Sequence, residues 1–390
     1  MSSAASSIPQ APADAVIWPS AERQAQFEAW LASLQAEFGL VPKSLRLASA
    51  DASFRRYLRL DTADGATRIA MDAPPDKENC RPFVEVAALM QSAGLNVPRV
   101  LNWHEAHGFL LLEDLGRQTL MQHAQALLGI DPFNPPFAKQ TLPSSSEGSR
   151  VQALFRQATE QLIVWQQASK PGVLPAYDDA VLQRELMLFP DWYIAKHKGI
   201  TLTAAQTASM QTVFERIKAS NLAAPQVYVH RDFMPRNLMM PVAESERLGV
   251  LDFQDALYGP VTYDIACLMR DAFTSWDDEL VLDTSIRYWE QARKAGLVTN
   301  GAWGSWADDF GEFWKAVDFM ALQRHLKVAG IFARLTHRDG KARYVADAPR
   351  FTAYIRDTCE RYRELRPLLH VIDSVEGMDA ETTHRRAYGL

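Results

Sequence analysis

The stretch VYVHRDFMPRNLMM, Val227 to Met240, sets His230, Arg231, Asp232 and Asn237 between two apolar runs. Further along, LGVLDFQDA carries Asp252 and then Asp255. These residue types in this order suit the movement of a phosphoryl group onto a hydroxyl. Asp232 is a carboxylate that would accept, or orient, the hydroxyl's proton. Asn237 offers an amide oxygen that holds Mg²⁺ without adding charge, and Asp252 a carboxylate that bridges Mg²⁺ to nucleotide phosphates. Asp232, Asp252 and Asp255 are expected to converge on one cleft, and no Lys or Arg adjoins Asp252 in sequence. Two carboxylates about 4 Å apart repel by roughly 4 kcal/mol at an effective dielectric near 20, and a bound cation removes that repulsion. The sequence therefore predicts Mg²⁺. His230 reads as a packing and hydrogen-bonding support, and Asp264, ahead of the apolar run IACLMRDAF, as a cap and brace. Arg231 reads either as an ion-pair partner or as a substrate contact.

Positioning such groups takes a scaffold. From Glu22 the pattern is helical, with Phe27, Trp30, Leu31 and Leu34 at three- and four-residue steps. SLRLASADASFRRYLRLDTADGATRIAMDAPP predicts a strand, a polar loop, a strand, an Asp64-Gly65 turn and a third strand stopped by Pro74-Pro75. PFVEVAALMQSAGLNVP predicts a helix ending at Gly94, and RVLNWHEAHGFLLLEDLG two more strands, the second from Phe109 to Leu112. Together these make a small antiparallel sheet with one inserted helix. Asp131 to Ser149, dense in Pro and Ser, predicts a loop or lid. Beyond it Val151, Leu154, Phe155, Ala158, Leu162 and Trp165 form a helical apolar stripe, and similar stripes recur after Asp264 and Trp303. The expected class is α+β: a tail over 1–17, a sheet-rich lobe over 18–112, a link at Glu113 to Gly116, and a helical lobe over 117–390.

Of the 390 residues, 47% are hydrophobic and 23% charged, an ordinary globular balance, and the length favours two lobes over one. Net charge is −6 with no basic run, which argues against nucleic acid as a partner. Cys80, Cys267 and Cys359 are few, odd in number and widely spaced, so neither a disulfide framework nor a zinc site is indicated. The start, MSSAASSIPQAPADA, lacks a secretory pattern, and no apolar run is long enough for a membrane span. The simplest expectation is a cytoplasmic monomer with small-molecule partners.

His230 to Asn237 fits H-R-D-x-x-x-x-N, the catalytic-loop pattern of eukaryotic-type kinases. Protein kinases follow their metal aspartate with a long activation segment. Here DFQDALYGPVTYDIACLMRD runs from Asp252 through a Gly259-Pro260 turn straight into a helix, which favours a small acceptor over a peptide. From about Glu22 the chain resembles the aminoglycoside phosphotransferase-type family of small-molecule kinases. That family's HxDxxxxN pattern falls on His230 to Asn237, and its second aspartate pattern on Leu251 to Ala266. The resemblance implies a two-lobed protein-kinase-like fold, ATP as co-substrate, and adenine against main-chain groups of Glu113 and Leu115. MDAPPDKENCRPFV, GFLLLEDLGRQTL and LDFQDALYGPVTYDIACLMRDAF further resemble the family's anomeric amino-sugar kinases. What that implies is phosphorylation of the C1 hydroxyl of N-acetylmuramate and N-acetylglucosamine, giving a sugar 1-phosphate for peptidoglycan recycling.

Two departures stand out. The loop LASADASFRRY lacks the glycines of protein kinases, so Ser49, Ala52 and Ser53 are expected to approach the phosphates. The strand RIAMDAPP has Met71 or Asp72 where the family's phosphate-binding lysine belongs, while Glu85 matches the glutamate that pairs with that lysine. Arg55, Arg56, Arg68 and Lys77 are candidate substitutes. Trp192 and Tyr193, after Pro190, offer aromatic faces, with Trp192 a candidate sugar contact and helix packing the plainer role. Other acceptors of the same fold (an aminoglycoside, choline or homoserine) and a nucleotide-binding module without turnover are the competing readings. Retention of Asp232, Asn237 and Asp252 argues against the last.

Overall fold

A computed structural model of the chain describes residues 16–50, 54–131, 139–242, 247–301, 304–341, 344 and 348–378. Residues 1–15 of the expected tail, Ala52 and Ser53 fall outside the described residues, as does the centre of the 131–149 loop. The chain divides into two compact units: residues 1–117 with 241–254, and residues 118–240 with 255–390.

In the first unit, α1 (Ala21–Phe38) begins where the Ser20 hydroxyl accepts from the Arg23 amide and stops at left-handed Gly39. Five antiparallel strands follow in the order β1-β2-β3-β5-β4: β1 (Leu40–Ala50), β2 (Arg56–Thr62), β3 (Thr67–Asp72), β4 (Val100–His104) and β5 (Phe109–Glu113). The helix α2 (Arg81–Ser92) comes between β3 and β4 in sequence. Cross-strand registers align Leu58 with Ala70 and Leu111, and Tyr57 with Met71 and Leu110. Because side chains alternate, the first set shares one face and the second the other. Phe27, Trp30, Leu31 and Leu34 of α1 cover the first face, packing with Leu58, Leu60, Ala70, Phe109 and Leu111. The segment 241–254 carries β8 (Gly249–Val250), and Phe253 packs on Phe83 of α2 with ring centroids 4.8 Å apart.

The second unit is mainly helical: α3 (Leu120–Leu128), α4 (Ser146–Gln167), α5 (Asp179–Leu188), α6 (Ala204–Ala223), α7 (Thr262–Met269), α8 (Asp278–Lys294), α9 (Phe310–His337), α10 (Ala348–Arg361) and α11 (Arg366–Glu376). It also holds β6 (Gln226–Val229), β7 (Leu238–Met239) and β9 (Leu257–Pro260). The last residues of the proposed loop, from Ser146, open α4 instead. Capping boxes at Thr119/Gln122 and Thr203/Gln206 fix the starts of α3 and α6. A π-helical turn, Phe189–His197, continues α5 around Pro190.

At the centre lies α9. Its buried set includes not only Phe319, Leu322 and Leu326 but also Gln323, Arg324, His325 and Lys327, so it lacks a solvent face over this stretch. Gly259 and Pro260 do not form the expected turn; they close β9, which pairs antiparallel with β6, Val227 opposite Gly259. Glycine is required there for close approach, since a Cβ would stand 2.7 Å from the Cβ of Tyr177.

Gly330, inside α9, is a similar case. Alanine in a helix interior ordinarily gains about 0.5–1 kcal/mol over glycine. Here its Cβ would lie 2.4 Å from both the carbonyl carbon and the oxygen of Leu188, backbone atoms with no rotamer to escape into. Overpacking of this kind costs roughly 1–3 kcal/mol, and it wins. Gly330→Ala should therefore lower the calorimetric melting temperature of the helical unit; a rise would show that α5 and α9 are not packed so closely.

Candidate active site

The loop from His230 to Asn237 leaves β6 inside the helical unit and is held largely through its main-chain groups. The Asp264 carboxylate, in the first turn of α7, accepts the backbone N–H of His230 at 2.7 Å and of Arg231 at 2.9 Å. Asp264 thus braces the loop rather than capping its own helix. Burial raises its carboxyl above the usual range, opposed by His230 and the two amide bonds. The Asp232 amide donates to Nδ1 of buried His230 at 3.2 Å, so a neutral ring carries its proton on Nε2. The Asp232 carbonyl accepts from the Met234 amide and from the Asn237 Nδ2, both at 2.9 Å. That second bond orients the Asn237 amide: its nitrogen turns to the loop, its oxygen away from it. Asp232 and Asn237 are thereby fixed relative to each other, and both side chains are only half-buried.

Arg231 has a left-handed φ of 76°, and Asp252 one of 65°; they are the only non-glycine residues with positive φ among those described. For an arginine this costs on the order of 1–3 kcal/mol and persists only where its surroundings over-determine it. They do. Besides the Asp264 bond, the Arg231 carbonyl accepts from the Cys267 thiol at 3.0 Å, and its guanidinium ion-pairs with Glu185 and reaches the Asp255 carbonyl at 3.3 Å. Glu185 also accepts from Tyr177 at 2.6 Å and Gln323 at 2.9 Å, and lies 3.0 Å from the Lys327 ammonium. Burial alone would raise the Glu185 carboxyl; Lys327 and Arg231 outweigh it and bring it down to about 2.

In the other unit, Asp252 follows β8 at once and is half-buried, its Oδ1 accepting from Gln254 Nε2 at 2.9 Å. The left-handed turn there ends the strand and leads into Phe253, whose ring is anchored on α2. The side chains of Asn237 and Asp252 offer hard oxygen atoms and no thiol or imidazole, the donor type Mg²⁺ prefers. Among the described residues no group of three or more His, Cys, Asp or Glu side chains is arranged to hold a metal.

The position of the missing lysine is now visible. Met71 is fully buried on the sheet face away from α1. Asp72 points to the α1 face and is bound there by Arg23, at 3.0 Å from its Nε, and by Arg56. Arg56 is therefore spent, and Arg68 shares its face by alternation. Arg55 ion-pairs with Glu78 at 3.0 Å, and Lys77 lies 4.9 Å over the Phe54 ring. Glu85 is exposed on α2, and no ion pair joins it among the described residues. Arg59, absent from the sequence-based candidates, stands on the face away from α1 and binds Asp114 at 2.5 Å and the Gly116 carbonyl at 2.6 Å. It stiffens the link that contains Leu115. Glu113 pairs with Arg99, and its amide donates to the Arg99 carbonyl at 3.0 Å.

The remaining expectations fall out simply. The Asp255 side chain is exposed, and its carbonyl is what meets Arg231. Trp192 is partly buried against the main core of the helical unit, beside buried Tyr193, whose hydroxyl donates to Glu376 at 2.9 Å. Glu185, Lys327 and Arg59 were not foreseen. A run of Gln, Arg, His and Lys inside an otherwise apolar helix was the available signal for Lys327; nothing in DAVLQRELML marks Glu185.

A small antiparallel sheet with one helix inserted, followed by a helical unit that carries an H-R-D-x-x-x-x-N loop, defines the class of protein-kinase-like phosphotransferases. Solved structures agree on the fold. An ethanolamine kinase of Plasmodium vivax superposes with a TM-score of 0.56 over 90% of this chain and 92% of that one at 10% identity. An amicoumacin kinase in complex with AMP-PNP and Ca²⁺ gives 0.53 over 86% and 95% at 15% identity. In sequence, the model of the APH phosphotransferase enzyme family matches residues 44–298. The chain belongs to that family and is an enzyme that transfers a phosphoryl group with ATP as co-substrate. The N-acetylmuramate/N-acetylglucosamine kinase of Pseudomonas aeruginosa is 45% identical over 363 residues, 91% of this chain and 98% of that one.

The Glu185 network sets a pH dependence. A carboxyl held near 2 in the fold and at its ordinary 4.5 when unfolded contributes stability that is present above pH 4.5 and lost as pH falls towards 2. The contribution is on the order of 3 kcal/mol. Glu185→Gln should destabilise the protein at pH 7, because Arg231 and Lys327 stay buried without their anion, by roughly 3–5 kcal/mol. It should also flatten the loss of stability between pH 4.5 and 2, measured by denaturant unfolding across that range. An unchanged acid limb would show that Glu185 does not carry the network.

Proposed function

We propose that this enzyme phosphorylates the anomeric hydroxyl of N-acetylmuramate and N-acetylglucosamine, with ATP and Mg²⁺, to give a sugar 1-phosphate for cell-wall recycling. The observation that carries the chemistry is the Asp232–Asn237 pair, locked through one carbonyl on a loop whose main chain Asp264 holds. What supports the acceptor is the 45% identity, over nearly the whole of both chains, to a kinase that bears these two sugars in its name. The same reading has the enzyme working as a cytoplasmic monomer on ATP made in that compartment.

In this reading Asp232 orients the C1 hydroxyl and takes its proton as the C1 oxygen bonds to the γ-phosphorus of ATP and the bond from that phosphorus to the bridging oxygen breaks, releasing ADP. Half-exposure leaves the carboxylate able to meet a sugar. Asn237 and Asp252 are the protein's oxygen donors to Mg²⁺, which when bound neutralises charge on the nucleotide phosphates. The adenine meets the Glu113 carbonyl, since the amide of that residue is already donated to Arg99, and the Leu115 main chain. Arg59, by tying Asp114 and Gly116 on either side of Leu115, holds that stretch in place for the base.

Asp232→Asn keeps the size of the side chain and removes the base. Turnover of either sugar should fall by about 10²–10⁴ while ATP affinity, measured by calorimetry, changes little. Near-normal turnover would remove Asp232 from this role. Incubation of the wild-type enzyme with labelled ATP and both sugars, alongside an aminoglycoside, choline and homoserine, tests the acceptor. Label is expected at C1 of the amino sugars; label confined to one of the others would overturn the assignment.

A further inference from the structure

Four arginines of the helical unit, Arg231, Arg236, Arg270 and Arg324, come into question as contacts for an anionic acceptor, and two of them are spent. Arg231 is bound to Glu185. Arg270 is shared between Asp278 at 3.4 Å and Asp318 at 4.0 Å and lies over the Trp314 ring. Arg236 and Arg324 are different. Arg236 sits between Asp232 and Asn237 on the loop itself, half-buried, with its guanidinium 4.4 Å over the Phe273 ring. Arg324, only 4% exposed on α9, lies 5.5 Å over Tyr263 and feels the charge of Asp232. Among the described residues neither has a carboxylate within 4 Å.

Buried Asp271 feels the charge of both. Its Oδ1 accepts the Phe273 amide at 3.2 Å, and its Oδ2 is buried with no hydrogen-bond partner. Burial raises this carboxyl to about 6, although Arg236, Arg324 and Arg350 all act to lower it. All three guanidinium groups thus act on a carboxyl with which none of them forms an ion pair among the described residues. Burying a cation with no close counter-ion is unfavourable, and an incoming anion relieves it. N-acetylglucosamine has no charge to offer. N-acetylmuramate carries a lactyl carboxylate on O3.

We propose that Arg236 and Arg324 form the subsite that takes the substrate's carboxylate, so that this enzyme reads the lactyl group of N-acetylmuramate by charge. The proposal rests on the amino-sugar reading above. Stacking on Phe273 and Tyr263 holds each planar guanidinium in place, so little side-chain entropy is lost when a carboxylate arrives. The discrimination is made in binding and appears in KM more than in kcat.

The test compares kcat/KM for N-acetylmuramate, its methyl ester and N-acetylglucosamine. The wild-type enzyme should prefer the acid over the ester by about tenfold or more, the usual worth of a charge-assisted pair. Arg236→Gln should lower kcat/KM for the acid by about tenfold, through KM, and leave the ester and N-acetylglucosamine within about threefold. Arg324→Gln should act in the same direction; should that buried change prevent folding, the ester comparison and Arg236→Gln decide. Equal rates for acid and ester, or an Arg236→Gln loss of the same size on all three sugars, would overturn the subsite and leave the kinase reading standing. No transfer to any of the three would sink both.

Discussion

A buried carboxylate with four donors around it lets a left-handed arginine precede the reactive aspartate. Glu185 takes Arg231, Lys327, Tyr177 and Gln323 from three separate stretches of the helical unit, so each of its oxygens is satisfied. Without that anchor the guanidinium of Arg231 would swing to water. Its φ of 76° would then have less to hold it against relaxation. Asp264 secures the same turn from the main-chain side. Side chain and backbone of one residue are thus pinned by two different acids, and Asp232 inherits its direction from that pinning.

Charge is concentrated behind the loop. Arg231 and Lys327 share the Glu185 carboxylate, while Arg324 of α9 has no carboxylate within ion-pair distance among the described residues. The potential this creates favours anions at the front of Asp232, which suits an enzyme whose co-substrate and product both carry phosphate. A fully apolar α9 would pack as well and cost less desolvation. Its polar core is therefore better understood as serving the loop than as stabilising the fold.

Local chemistry was legible in the sequence wherever it was written in one segment. Asp232 and Asn237 share an eight-residue loop, β2 alternates between buried and half-buried positions, and Phe27, Trp30, Leu31 and Leu34 mark α1 and its buried face. The family itself could be recognised from the two aspartate motifs. Long-range pairs were hidden. Glu185 and Lys327 are 142 positions apart in the numbering yet 3.0 Å apart in space, and no local signature joins them. Gly259 and Pro260 were misleading for another reason: glycine there makes room for Tyr177 rather than a bend, and periodicity cannot distinguish the two uses. Arg59 was passed over because register, not composition, decides which face of a strand a side chain occupies.

The three thiols are all buried, Cys80 in the first unit and Cys267 and Cys359 in the second. Burial also pushes each of them above the ordinary thiol range, so access and ionisation are both withheld while the fold is closed. The molecule therefore contains its own clock. Alkylation at Cys80 can proceed only as fast as the sheet unit breathes, and at the other two only as fast as the helical unit does, so mass-resolved labelling would time the opening of each body separately.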